Sequence, residues 1–213
     1  MQHITINEIK EWDRFYRANF INSLQGFKPV SLLGTVNENG QPNLAIFSNI
    51  VHLGADPALI GFINRPVEAA PHTLHNIEVT GQYTINHIQP SFVAAAHQTS
   101  AKYPADQNEF VATGLTPLFT ENCKAPFVVE SAIKYGLQLV EIVPITHNHT
   151  FLVIGSITHV LLDEGLIEQD GFIDAHKAKS ITSLGIDAYY STEPVGRYEY
   201  AKPGKGPNKL PMG

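Results

Sequence analysis

The sequence predicts a mainly β protein, an antiparallel β-barrel with added helices. Strand-like runs follow one another in hairpin order, and the helical patterns between them are short. No regular strand–helix–strand repeat is present and no GxGxxG turn follows the first strand, so a doubly wound sheet fits poorly. At 213 residues, 43% of them hydrophobic, the chain can bury one full core.

In chain order, Asn7 to Leu24 places Ile9, Trp12, Phe15, Phe20 and Leu24 at roughly helical spacing, which predicts one helix stopped by Gly26. Lys28 to Val36 reads as a strand, and Asn37-Glu38-Asn39-Gly40 carries the Asn-Gly signal of a hairpin turn back into the next. Gln41 to Arg65 reads as two strands joined by a Gly-Ala-Asp-Pro turn, with Ser48-Asn49 interrupting the first apolar run. Small polar residues buried in a strand need partners, so this pair either ends the strand or faces a ligand.

Thr73 to Ile77 predicts a short helix that Gly81 can end, and Gln82 to Ile88 alternates in character like a strand. Pro90-Ser91 starts another short helix, and a further one is expected around Asn108 to Thr113. Val128 to Val143 and Thr150 to Leu162 are the two longest β-rich runs and predict a long hairpin. From Lys202 the chain is rich in Pro, Gly and Lys and cannot bury a core of its own, which predicts a mobile tail or an arm on a partner subunit. The expected division is a helical extension over 1–26, one domain over 27–190 and a C-terminal extension over 191–213.

Composition excludes several functions. A net charge of -6 without long charged runs argues against nucleic acid as a partner. The single cysteine, Cys123, rules out an internal disulfide framework. No leader or membrane-spanning run is visible, so a soluble, cytoplasmic protein is expected. There is no GxSxG elbow or Walker loop. His72 with His75 and His147 with His149 are paired, but neither pair has the third ligand motif of a zinc site, and no metal is expected.

One group of residues does suggest a ligand. Arg65 at a strand end, Thr73 at a helix start and the loop Thr99-Ser100-Ala101-Lys102 would suit a phosphate monoester if they converge. For Thr73 alone, helix capping is the simpler role.

The ordered series Asn43, Phe47-Ser48-Asn49, Asp56-Pro57, Arg65, Thr73-x-x-Asn76-Ile77, Ile85-Asn86, Asn108-Glu109-Phe110, Gly114-Leu115, Val129-Glu130-Ser131 and His149 to Gly155 resembles the flavin reductase-like family, the FMN-binding split barrels. The likeness runs from about Phe27 to Asp163. It implies a six-stranded Greek-key split barrel, a homodimer, with flavin mononucleotide (FMN) held non-covalently near the subunit interface. It further implies reduction of flavin by NAD(P)H, with electrons passed to free flavin, oxygen or a partner such as a monooxygenase. By position, Phe47, Ser48, Asn49 and Ile50 match the segment along the isoalloxazine ring, and Asn64, Arg65 and Thr73 the region near the ribityl phosphate. Thr99, Ser100 and Lys102 match a loop that can close on the cofactor, and His149 a residue near the flavin or nicotinamide. His72 departs from the acidic residue common before the family's helix Thr, and Ala58 from the second Pro of its turn. Such chemistry needs no nucleophile from the protein, because the reactive atoms belong to the cofactor. The alternative is a flavoredoxin-like carrier or sensor that binds flavin without turnover.

Overall fold

The computed structural model describes residues 1–67, 71–104 and 107–211. The N-terminal segment forms two helices where the periodicity predicted one, α1 (Ile6–Glu11) and α2 (Arg14–Leu24). The break follows from Asp13, whose carboxylate accepts from the Phe15 and Tyr16 amides and so caps a new helix. Trp12 bridges the break, packing edge-on against Tyr16 and Phe20 at 5.1 and 4.9 Å between ring centres.

The strands β1 (Lys28–Pro29) and β2 (Ser31–Val36) lead into the expected turn, where the Asn37 carboxamide oxygen accepts from the Asn39 and Gln41 amides and Gly40 takes φ 79°. Strand β3 (Pro42–Phe47) then pairs with β2 from Val36↔Pro42 to Ser31↔Phe47. The stretch read as two strands contains three, because Ser48-Asn49 ends β3 and β4 (Ile50–Ala55) starts anew. The Asp56-Pro57 turn leads to β5 (Ala58–Asn64). Helix α3 (Pro71–Thr80) is longer than expected and stops at Gly81, and β6 (Gln82–His87) follows. A 3-10 turn at Pro90–Phe92 leads into α4 (Val93–Gln98), and Asn108 caps α5 (Glu109–Thr113) through the Phe110 amide.

The run expected from Val128 to Val143 is divided. A hairpin of β7 (Pro117–Thr120) and β8 (Cys123–Val128) precedes β9 (Ile133–Ile145), which forms the long hairpin with β10 (Thr150–Leu162). The division is made by Lys134, whose buried ammonium donates to the Val128, Val129 and Ser131 carbonyls and so ties the intervening turn together. Near the C-terminus, β11 (Thr182–Leu184) pairs with β1 and with β12 (Ala188–Tyr190), and β13 (Arg197–Tyr198) pairs with β14 (Lys209–Leu210).

Seven strands form one antiparallel sheet in the order β3-β2-β6-β9-β10-β5-β4. Its two edge strands are consecutive in the chain, joined by Ser48 and Asn49 alone. Three Cα steps separate Phe47 from Ile50, at most about 11 Å, so the sheet must roll until its edges nearly meet. Phe47 of β3 accordingly packs edge-on against Phe62 of β5 at 5.0 Å, and Phe62 against Tyr83 of β6 at 5.6 Å. Leu33, Ile85, Leu137 and Val153 fill the same interior, with Leu74 and Ile77 of α3 closing it. β3 and β4 are not paired to each other, so the barrel is split at this seam.

The opposite face of β6 holds the β7–β8 hairpin. Gln82 and Asn86 accept from the Lys124 and Val128 amides, and Thr84 donates to the Pro126 carbonyl. The alternation of β6 thus splits apolar residues to the interior from hydrogen-bonding residues to β8. A second core beside it gathers Leu32, Leu44, Phe92 and Phe110 from β2, β3 and the connecting helices with Ile181 from the segment just before β11.

Candidate active site at the barrel seam

The seam opens on a cavity of about 380 Å³, within the usual range for a small-molecule site. One wall is the end of β3 with the strand break, Ala45 to Asn49. Here the carbonyl of Asn49 accepts from the Ile63 amide, extending the β4–β5 ladder by one residue, while Phe47 and Ser48 belong to an edge that has no ladder partner on this side. Arg65 and the start of α3, Pro71 to Thr73, form the second wall, and the loop Thr99 to Tyr103 forms the third. Ser183, Ile186 and Tyr189 come from the C-terminal segment.

Thr73 does not act as a simple cap. It is the third residue of α3, and its hydroxyl oxygen accepts from Asn43 at 3.3 Å, leaving its own proton available to a ligand. Asn43 and Asn76 also donate to Thr35, at 3.2 and 3.0 Å, so this corner is cross-braced. The Thr99 hydroxyl is buried and donates to the Ala96 carbonyl at 2.7 Å, which commits it to ending α4. Ser100, Lys102 and Arg65 are exposed on the cavity rim, and neither cation forms an ion pair with a described residue.

Three predicted residues lie elsewhere. Ile50 opens β4 and packs its side chain on the barrel interior. Asn64 is fully buried behind the wall, donating to the Arg65 carbonyl at 2.8 Å and so fixing the backbone that carries the arginine. His149 sits exposed in the β9–β10 turn at φ 59°, outside the cavity.

The structure adds residues that sequence reasoning did not assign to a site. Glu109 of α5 is buried on the cavity wall and accepts from the Leu44 amide at 3.1 Å. Burial raises its carboxyl above the ordinary range, against the opposing effects of the Leu44 amide and nearby His72. Tyr189 and Tyr103 are held through their hydroxyls by consecutive residues of α4, His97 at 2.7 Å and Gln98 at 3.1 Å. Ser183 is buried, and its hydroxyl has no partner among the described residues. Behind it, Lys28 donates to the Gly185 carbonyl at 3.0 Å, and burial and neighbouring Arg65 both lower its pKa. Only Glu109 had a local signal, the Asn108 cap in front of it; Ser183 and Tyr189 arrive through tertiary pairing.

The donor set fits a flat polar molecule carrying an anion. Two cations and the Thr73 and Ser100 hydroxyls suit a phosphate, and an unladdered strand end suits the hydrogen-bonding edge of a heteroaromatic ring. This is a split barrel with a small-molecule site in its seam. Comparison with known families makes the assignment narrower: residues 27–180 match the flavin reductase like domain, and the chain belongs to that family.

Among solved structures, one from Shewanella frigidimarina NCIMB 400, described as a flavin reductase with a split barrel domain, is 44% identical and superposes with a TM-score of 0.91, covering 94% of this chain and 100% of that one. Nitrilotriacetate monooxygenase component B from Bacillus cereus is 25% identical, with a TM-score of 0.81 over 94% of this chain and 98% of its own. Flavoredoxin of Desulfovibrio vulgaris (Miyazaki F) is 25% identical, with a TM-score of 0.70 over 84% of this chain and 92% of its own.

Proposed function

We propose that the chain is an FMN-binding oxidoreductase that takes electrons from NAD(P)H and passes them to free flavin, oxygen or a partner protein. The observation that carries this reading is the meeting, in one cavity, of an open strand edge at Phe47-Ser48-Asn49 with two cations, Arg65 and Lys102, that form no ion pair among the described residues. A bound flavin supplies the hydride and electron chemistry. The protein's part is to hold it. Arg65 and Lys102 neutralise the phosphate, Thr73 and Ser100 donate to it, and the backbone of Phe47 to Asn49 meets the polar edge of the ring. The two tethered tyrosines, Tyr103 and Tyr189, offer apolar surface beside it.

The working unit is a homodimer. The exposed Val51 and Leu53 of edge strand β4, with Val140 and Val160 on the long hairpin, supply apolar surface for a second copy. In such a dimer His149 could approach a neighbouring cavity, the remaining route to a catalytic role. Segments 1–26 and 191–213 are extensions of a single 27–190 domain. The likeness to a monooxygenase component B supports a monooxygenase as the acceptor. The likeness to a flavoredoxin favours a second reading, an electron carrier that no nicotinamide reduces.

The test is a visible spectrum of the purified protein reconstituted with FMN, followed by anaerobic addition of NADH and then NADPH. Bleaching of the flavin bands by either donor supports the reductase. Bands that persist favour the carrier, and a protein that takes up no FMN removes both readings.

A further inference from the structure

The fold buries two lysines and treats them differently. The Lys134 ammonium donates to three carbonyls, and the carboxylates of Asp163 and Glu130 act on it with opposite charge. Lys28 is 5% exposed, and its ammonium has one described partner, the Gly185 carbonyl at 3.0 Å. The pair of Arg197 with Asp170 is the only ion pair among the described residues, so no described carboxylate neutralises Lys28. The charge that does act on it, from Arg65, has the same sign. A buried cation without a counterion costs stability, which a negative charge nearby would offset.

Strand β1 sets this ammonium behind the wall of the seam cavity. Lys28 stands opposite Ser183 in the β1–β11 ladder, and its partner Gly185 lies between Ser183 and Ile186, both of which line the cavity, as does Val30. Ser31 pairs with Phe47, so the chain before Ser31 runs on toward Ser48 and Asn49. Lys28 is therefore at the end of the cavity with the open strand edge, whereas Thr73 braces the other end through Asn43, the residue paired with Thr35. The wall in front of Lys28 is polar but uncharged, for the buried Ser183 hydroxyl has no described partner. A charge screened by protein instead of water acts across such a wall with greater effect.

We propose that Lys28 sets the potential of the bound flavin, its charge stabilising the reduced ring more than the oxidised one, so that the protein holds reduced FMN more tightly than oxidised FMN. This rests on the flavin reading of the seam cavity. A hydride from a nicotinamide brings the ring two electrons and one proton, leaves the nicotinamide oxidised and gives the ring one negative charge where it was neutral. A fixed cation at the polar edge of the ring acts on that difference. Lys28 does not line the cavity and works through the wall, as a positioning residue.

The experiment is an anaerobic measurement, against a reference dye, of the midpoint potential of FMN bound to the full-length protein, with fluorescence titration of oxidised FMN alongside. It is made on wild type, Lys28→Gln and Lys28→Arg. In wild type the bound flavin is expected at a more positive potential than free FMN. Lys28→Gln keeps a donor for Gly185 but loses the charge. It should bind oxidised FMN within about threefold of wild type, which also reports that it is folded. Its potential should fall by about 30 mV or more, the two-electron equivalent of a tenfold weaker hold on the reduced form relative to the oxidised one. Lys28→Arg keeps the charge and should change that ratio less than about threefold. A potential unchanged in Lys28→Gln, or lowered equally in both variants, overturns the role of the charge and leaves the flavin reading standing. So does a wild-type potential at or below that of free FMN, whether or not the variants fold. A wild type that takes up no FMN removes the flavin reading itself, and the role of Lys28 with it.

Discussion

Acid should loosen the cavity wall through one residue, His87. This side chain ends β6, packs near Tyr135 and pairs through Nδ1 with the Ser180 hydroxyl at 2.9 Å. Burial lowers its pKa from 6.5 to about 4. Folded protein thus holds His87 neutral where the unfolded chain would protonate it. The depressed folded value means that its contribution is fully present above about pH 6.5 and is lost as pH falls toward 4. At about 1.4 kcal/mol per unit, the full loss is about 3 kcal/mol, of which about 2 kcal/mol falls between pH 7.5 and pH 5. That is a substantial part of a typical domain's stability of about 5–15 kcal/mol.

The assay is urea denaturation of wild type and His87→Phe across that interval. Every other titrating group is common to both proteins and cancels in the difference. The variant loses the Ser180 hydrogen bond at all pH values, so its offset is constant, while the wild-type curve alone carries the slope. Because Ser180 leads directly into Ile181 and β11, whose Ser183 lines the cavity, flavin affinity should weaken in wild type over the same interval. A stability difference that stays flat from pH 7.5 to pH 5 would refute the reasoning, since it would mean that His87 is hydrated in the folded state.

Other perturbations test the site and the barrel. Arg65→Ala should weaken FMN binding more than tenfold, given about 1.5–3 kcal/mol for a charged hydrogen bond; unchanged affinity by titration would remove Arg65 from the site. Glu109→Gln keeps an acceptor for Leu44 but cannot ionise. Because burial raises the folded carboxyl's pKa, the variant should be more stable than wild type above the ordinary carboxylate range, with the advantage disappearing as pH falls; a pH-independent difference in denaturation midpoint would contradict this. In Gly34→Ala the new methyl would collide with the Pro126 carbonyl of β8 and the Thr84 hydroxyl, so a loss of about 1–3 kcal/mol is expected, and a neutral result would mean that β8 sits farther from β2.

What could be read from the sequence was whatever local chemistry decides. The turn at Asn37 to Gly40 and the helix stops at Gly26 and Gly81 are set by backbone conformations that few residues adopt, and they appear where expected. Boundaries inside continuous apolar patterns were hidden. Asp13 divides a helical run by capping, and Lys134 divides a β-rich run by reaching back to three carbonyls, which no periodicity reveals. The site followed the same rule. Phe47 to Asn49, Arg65, Thr73 and the loop at Ser100 to Lys102 could be proposed from local signals, and all line one cavity. Ser183 and Tyr189 could not, because what brings them there is the pairing of β1 with β11, more than a hundred residues apart in sequence.

The strand break and the site are one feature. An edge strand carries unpaired amide and carbonyl groups, and proteins usually cover, charge or shorten such edges. Here both edges of one sheet are brought together and then kept from pairing by Ser48 and Asn49. Continuous β-branched residues at those positions would favour extending the strand and would turn side chains, not backbone, toward the cavity. The two-residue link also has no slack, and its Asn49 carbonyl is tied to the Ile63 amide as a continuation of the β4–β5 ladder, so one side of the seam is held to the barrel wall. A ligand in the seam therefore meets backbone groups whose spacing is fixed by the whole barrel, while Arg65, Lys102 and Ser100 stand on exposed connections that can adjust to its charged end. Under the proposed function, that division would give a rigid edge to the ring and adaptable charges to the phosphate, which suits chemistry that depends on how a cofactor is held.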